Sequence, residues 1–179
     1  SGEALLRMVH RVLEIARMSS DNEPRKRQLL EVTAIIGTEI DKMRKVAERH
    51  SISLSFHAGP EPLYIDASDY EFRLALTELL DNAIKYNCKD GHVGVSLSST
   101  EDEVMIRIVD TGIGLAGKDA KDALSAFCGK CGSQQCKGLG LGLTLVALFA
   151  TALGGKLSIE GGRASGTAIL LSLKRVLQD

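Results

Sequence analysis

The stretch Glu78-Leu79-Leu80-Asp81-Asn82-Ala83-Ile84-Lys85-Tyr86 carries two patterns at once, and together they decide the fold. Phe72, Leu76, Leu79 and Ala83 recur at helical spacing and form a core stripe. Glu78, Asn82 and Lys85 stand at i, i+4 and i+7, so they share another face of the same helix. Ser68-Asp69-Tyr70-Glu71 is a capping box that opens this helix, and the pattern predicts that it reaches about Asn87. The polar face reads either as solvated surface or as a ligand site. As a site, Asn82 offers a carbonyl oxygen suited to Mg²⁺, which prefers hard oxygen ligands. Lys85 offers a point charge for phosphate.

Two glycine-built turns follow. Val93, Val95 and Leu97 alternate, as do Val104, Ile106 and Ile108, so the two runs predict an antiparallel hairpin around Ser98–Asp102. The second strand exits into Asp110-Thr111-Gly112-Ile113-Gly114. A carboxylate there can accept a hydrogen bond from an exocyclic amine such as adenine N6, and Gly112 and Gly114 let backbone approach a ring closely. Further on, Gly138-Leu139-Gly140-Leu141-Gly142-Leu143 precedes a predicted helix over 142–153. Free N–H groups and the positive dipole end can face an anion at such a start. Gly-x-Gly-x-Gly alone is a weak signal, and no parallel strand–turn–helix unit surrounds it to make a dinucleotide fold.

Around these blocks the chain predicts a helix over 3–18, with Leu5, Val9, Val12 and Ala16 as its apolar stripe and Leu6 and Leu13 widening it. Ser19-Ser20-Asp21-Asn22-Glu23-Pro24 breaks it. A short strand over 28–32 leads to a helix capped by Thr33, with Ile36, Ile40, Met43 and Ala47 inward. Strands are expected at 52–56, 63–65, 156–160 and 167–174. The order of elements predicts an α+β fold, a two-layer α/β sandwich of helices on a mixed sheet. Net charge of −1 offers no basic field for nucleic acid or a membrane surface. No apolar run approaches the roughly 20 residues of a membrane span, and the N-terminus shows no signal-peptide pattern. Four cysteines, three of them close together, do not make a secreted disulfide framework, so a cytoplasmic setting is expected.

As a set, these blocks resemble the ATP-binding domain of sensor histidine kinases, within the GHKL superfamily of gyrase-, chaperone- and kinase-type ATPases. Glu78–Tyr86 is similar to the N box, Asp110–Gly114 and Gly138–Leu143 to the glycine boxes, and Gly166-Thr167 to the last block. The resemblance covers about residues 28–176. It implies the Bergerat fold, with ATP between the helix layer and a lid. It also implies that Asn82 holds Mg²⁺, Lys85 a phosphate, Tyr86 packs on the nucleotide and Asp110 reads adenine, with Gly138, Gly140, Leu141, Gly142, Leu143 and Thr167 around it. Residues 1–20 resemble the second helix of a dimerisation hairpin, 21–27 a linker and 28–179 the catalytic domain. A homodimer, a phosphoacceptor histidine outside this chain and a response regulator are the partners implied.

The match has departures. Glu78 stands where many histidine kinases have Asn, and it reads equally as a general base or as an ion-pair residue. The lid, 115–137, lacks the usual arginine before the second glycine box; Lys130 and Lys137 are candidate substitutes, and Phe127 a candidate lid aromatic. Cys128, Cys131 and Cys136, with Cys88, read as free thiols, as a redox switch, or as ligands for Zn²⁺ or an iron–sulfur cluster. None of the four histidines has an acceptor context. A GHKL-type ATPase using Glu78 as base and a non-catalytic nucleotide-binding scaffold are the alternative functions.

Overall fold

The structure, a computed structural model, describes residues 2–20, 25–114, 140–161 and 166–178. Helix α1 (Gly2–Ser19) leads to strand β1 (Gln28–Glu31), helix α2 (Val32–Arg49), and strands β2 (Ser53–Ala58) and β3 (Tyr64–Ala67). Helix α3 (Asp69–Lys85), strands β4 (His92–Ser99) and β5 (Glu103–Asp110), helix α4 (Gly140–Ala152) and strands β6 (Lys156–Gly161) and β7 (Thr167–Lys174) follow. The main sheet has the order β2-β4-β5-β7-β6, with β2 parallel to β4 and every other pair antiparallel. β1 and β3 form a separate antiparallel pair. The mixed-sheet α+β expectation therefore holds.

Helices α2, α3 and α4 make the second layer. The predicted stripe of α3 (Phe72, Leu76, Leu79, Ala83) is buried throughout, and Phe72 stacks on Phe149 of α4 with ring centroids 6.1 Å apart. Full burial of such side chains contributes about 1.5–3 kcal/mol each. In α2, Ile36, Ile40 and Ala47 are buried and Met43 is half-buried. Its cap differs from the expected one. The helix starts one residue before Thr33, and the Glu31 carboxylate accepts from the N–H groups of Thr33 and Ala34. The Ser68 box forms by half: Ser68 Oγ accepts from Glu71 N, while the Glu71 carboxylate pairs with Arg17 of α1.

The register of the sheet positions the chemistry. Along β5, Val104, Ile106, Ile108 and Asp110 all fall on the buried face, because the side-chain period of a strand is two. Asp110 thus occupies the next core-facing position after three aliphatic residues. It sits opposite Val93 on β4 and Thr167 on β7, at the open end of the β4–β5 hairpin.

Helix α1 seats against α3 and α4 through its charged face. The apolar stripe that the sequence singles out points away: Leu5, Leu6, Val9, Val12 and Leu13 are all exposed, whereas Glu14 is buried. No helix among the described residues is long and apolar enough to cross a membrane.

Candidate functional site

A buried carboxylate at a strand end needs partners, and the turn after β5 and the start of β7 supply one each. Asp110 Oδ1 accepts from Gly112 N at 2.8 Å and from Thr167 N at 3.2 Å. Burial pushes the Asp110 carboxyl above the usual carboxylate range, and these two backbone N–H groups pull it partly back. Its other oxygen, Oδ2, makes no hydrogen bond among the described residues. Two glycines leave the room this geometry uses. A side chain at Gly112 would overlap the carbonyl oxygen of Tyr86, and one at Gly166, whose φ is +76°, would overlap the backbone oxygen of Asp110. Gly114 closes the turn, also at positive φ.

The turn is tied to the end of α3. Ile113 N donates to Tyr86 O at 3.2 Å. Asn87 donates through Nδ2 to His92 O at 3.0 Å, and its Oδ1 accepts from Thr111 Oγ1 at 3.0 Å. Thr111 Oγ1 accepts from His92 N at 2.8 Å, which closes the knot. Sequence reasoning gave Asn87, His92 and Thr111 no role in this turn; the signal available was that Thr111 lies inside the Asp110–Gly114 block and Asn87 follows Glu78–Tyr86 by one position.

The polar face of α3 is graded. Glu78 is buried, Asn82 half-buried, and Lys85 and Tyr86 exposed, with Lys85 Nζ 5.2 Å from the Tyr86 ring centroid. Glu78 is engaged from both sides. Arg11 Nε donates to its Oε1 at 2.8 Å, and Arg11 Nη2 lies 2.7 Å from Oε2. Oε2 is thus a buried oxygen held by charge, without a hydrogen bond among the described residues. Gly142 lies against the same carboxylate, with no room for a side chain. Burial opposes the Arg11 charge, but the bond and charge of Glu78 and the charge of Asp81 outweigh it and hold the guanidinium above its ordinary pKa. Sequence reasoning missed Arg11. The signal was present as His10, Arg11, Glu14 and Arg17, a charged stripe on the face away from Leu5, Val9 and Val12.

The structure gathers Asp110, Gly112, Tyr86 and Thr167 at the sheet end. It separately gathers Glu78 and Gly142 where α3 meets the first turn of α4, with Leu141 half-buried and Leu143 buried in that turn. Phe127, Cys128, Lys130, Cys131, Cys136, Lys137 and Gly138 lie outside the described residues. Cys88 is exposed, with Sγ 3.1 Å from Thr111 O. Among the described residues no three His, Cys, Asp or Glu side chains gather as a metal cluster. A cleft of about 400 Å³ lies at the turn end of the β4–β5 hairpin between Glu101, Glu103 and Arg175, away from these groups.

Fold and site together define a class. The chain belongs to the family of histidine kinase-, DNA gyrase B-, and HSP90-like ATPases, which matches residues 68–177. Among curated proteins it is 25% identical over 175 residues to the sensor histidine kinase WalK of Bacillus subtilis, covering 96% of this chain and 28% of WalK. It is also 25% identical over 178 residues to the histidine protein kinase DivJ of Caulobacter vibrioides, covering 99% of this chain and 30% of DivJ. The chain thus spans under a third of the length of these relatives. Among solved structures, full-length ShkA in complex with AMPPNP matches with a TM-score of 0.84 at 23% identity, over 99% of this chain and 37% of that one. The Acinetobacter baumannii histidine kinase AdeS matches with a TM-score of 0.76 at 19% identity, over 96% of this chain and 79% of that one. The structural likenesses establish the fold.

Proposed function

We propose that this chain binds Mg·ATP and, as part of a longer sensor histidine kinase, presents the γ-phosphate to a histidine outside these 179 residues. The observation that carries the reading is Asp110. One oxygen is fixed by two backbone N–H groups, and the other makes no protein bond among the described residues, at a strand end bordered by glycines. Such an acceptor suits the exocyclic amine of adenine. Gly112 and Gly166 let backbone pack tightly around Asp110, against Tyr86 O and Asp110 O, which fixes the position of this acceptor.

The remaining roles follow the same frame. Tyr86 packs beside the base, Lys85 meets phosphate, and Asn82 supplies a carbonyl oxygen for Mg²⁺, which when bound neutralises phosphate charge. Gly138, Gly140, Leu141, Gly142 and Leu143 line the phosphate end, with Thr167 at the base and Phe127 in the lid. Positioning and charge neutralisation provide most of the catalysis in phosphoryl transfer, and these residues supply both. The ion pair with Arg11 occupies Glu78 in this seat of α1, which weighs against hydrolysis with Glu78 as base here. Residues 1–20 serve a dimer bundle and 21–27 a linker; the exposed stripe of α1 supports that assignment. A homodimer, a phosphoacceptor domain in the same full-length protein or on a partner, a response regulator and a cytoplasmic location complete the proposal.

Supplying the acceptor domain and labelled ATP tests it. Acid-labile phosphate on that domain, absent with Asn82→Ala, is the expected result; phosphate released to solvent and none on the domain points to an ATPase.

A further inference from the structure

Glu78 places a negative charge at the start of α4, where the positive end of the helix dipole would otherwise face a phosphate. Its buried carboxylate lies against Gly142 in the first turn, and Asp81 stands close by. One cation answers both acids: Arg11 contacts the two Glu78 oxygens at 2.8 and 2.7 Å and Asp81 Oδ2 at 3.6 Å. This cation does not belong to the nucleotide-binding layer. It arrives on α1, sixty-seven residues away in sequence.

The seat that delivers it is mainly polar. Arg17 pairs with Glu71 and Glu14, Arg25 pairs with Glu14 at 3.0 Å, and Tyr70 shares a 2.9 Å hydrogen bond with His10 Nε2. The apolar stripe of α1 faces outward, so it does not glue the helix to the domain. Ile15 and Met18 lie half-buried on the same face, so the seat combines ion pairs and hydrogen bonds with a small apolar contact. When it parts, Arg11 leaves with it and Glu78 loses its counter-charge.

We propose that Arg11 is a positioning residue of the nucleotide site that neutralises Glu78 beside the first turn of α4, so that the seating of α1 sets the affinity for phosphate-bearing ligands. The inference rests on the reading that phosphates lie at that helix start. Its signature is electrostatic: removing Arg11 should weaken ligands in proportion to their charge and leave an uncharged ligand alone. A unit charge roughly 10 Å from a phosphate, in a water-like dielectric, changes affinity by up to about twofold per ligand charge, and less for the more distant phosphates.

The test is calorimetric titration of the whole chain with adenosine, ADP and ATP, without Mg²⁺ and at low salt. Arg11→Gln is expected to leave adenosine within about twofold, weaken ADP about threefold and weaken ATP up to about tenfold. Arg11→Gln with Glu78→Gln restores ADP and ATP, and Glu78→Gln alone tightens them a few-fold. The differences should shrink in salt, as screening requires. An equal loss for adenosine and ATP would show a merely structural Arg11 and overturn the proposal. So would Glu78→Gln that weakens ATP, an arm that stands even if Arg11→Gln folds poorly. Wild-type protein that binds none of the three ligands refutes the nucleotide reading itself, and this inference with it.

Discussion

Replacing Gly166 by alanine isolates what the close approach at the sheet end is worth. The residue has φ +76°, and a Cβ there would overlap the Asp110 carbonyl oxygen, with the carbonyl carbon at 2.8 Å and Thr111 Cα at 3.1 Å. These are backbone atoms of β5 and its exit turn, so no side chain can swing aside. The left-handed conformation costs a non-glycine residue about 1–2 kcal/mol. Overpacking against fixed neighbours adds about 1–3 kcal/mol. Gly166→Ala should therefore lose about 2–5 kcal/mol. Gly154 provides the control: its φ is +67°, but nothing lies within 4 Å of its would-be Cβ. Gly154→Ala should lose only the conformational part, about 1–2 kcal/mol. Urea denaturation of the three proteins measures both values, and a chain of this size should show about 2–4 °C in Tm per kcal/mol. Because the overlap also displaces the Thr167 N–H from Asp110 Oδ1, Gly166→Ala should weaken ADP binding and Gly154→Ala should not. Equal losses at the two glycines would contradict the close approach.

Asp110→Asn separates stability from recognition. Burial raises the carboxyl of Asp110, so the folded state holds that proton more tightly than the unfolded chain does. The favourable contribution is complete below the unfolded value of about 4 and is lost as pH rises through the higher folded value. Asparagine keeps an Oδ1 acceptor for Gly112 and Thr167 without the charge. The variant should be at least as stable as wild type at pH 7, with the gap shrinking toward pH 3; a variant less stable at pH 7 than at pH 3, relative to wild type, would reverse the sign. Arg17→Ala removes the pair with Glu14 and Glu71 from the α1 seat. Hydrogen exchange should accelerate in α1 while α3 and the sheet keep their protection, and unchanged exchange in α1 would show that the apolar contacts hold it.

What could be read from sequence was whatever repeats at a fixed spacing. The three-and-four spacing of Phe72, Leu76, Leu79 and Ala83 placed α3, and the alternation of Val104, Ile106 and Ile108 placed β5 and ran on into Asp110. Asp110 stood out because it ends that strand and is followed at once by Thr111-Gly112-Ile113-Gly114. Tertiary partners leave no such period. Arg11 meets Glu78 only because α1 folds back, and nothing local to either residue announces it. The same cause halves the Ser68 capping box, since Arg17 draws the Glu71 carboxylate away from its local role. The Thr33 cap was displaced for a local reason: Glu31 reaches two helix N–H groups from one position earlier. Which face of α1 meets the domain was also hidden, because an apolar stripe shows that a partner is wanted without saying which.

The most direct measurement is titration calorimetry of ADP into wild-type protein and Asp110→Asn, with GDP as a control. Saturable ADP binding by wild type is predicted, with no comparable GDP binding and a loss of roughly tenfold or more in Asp110→Asn, as expected when a charged acceptor worth about 1.5–3 kcal/mol is removed. No ADP binding by wild type, or equal affinity for ADP in the folded variant, would contradict a nucleotide site read by Asp110.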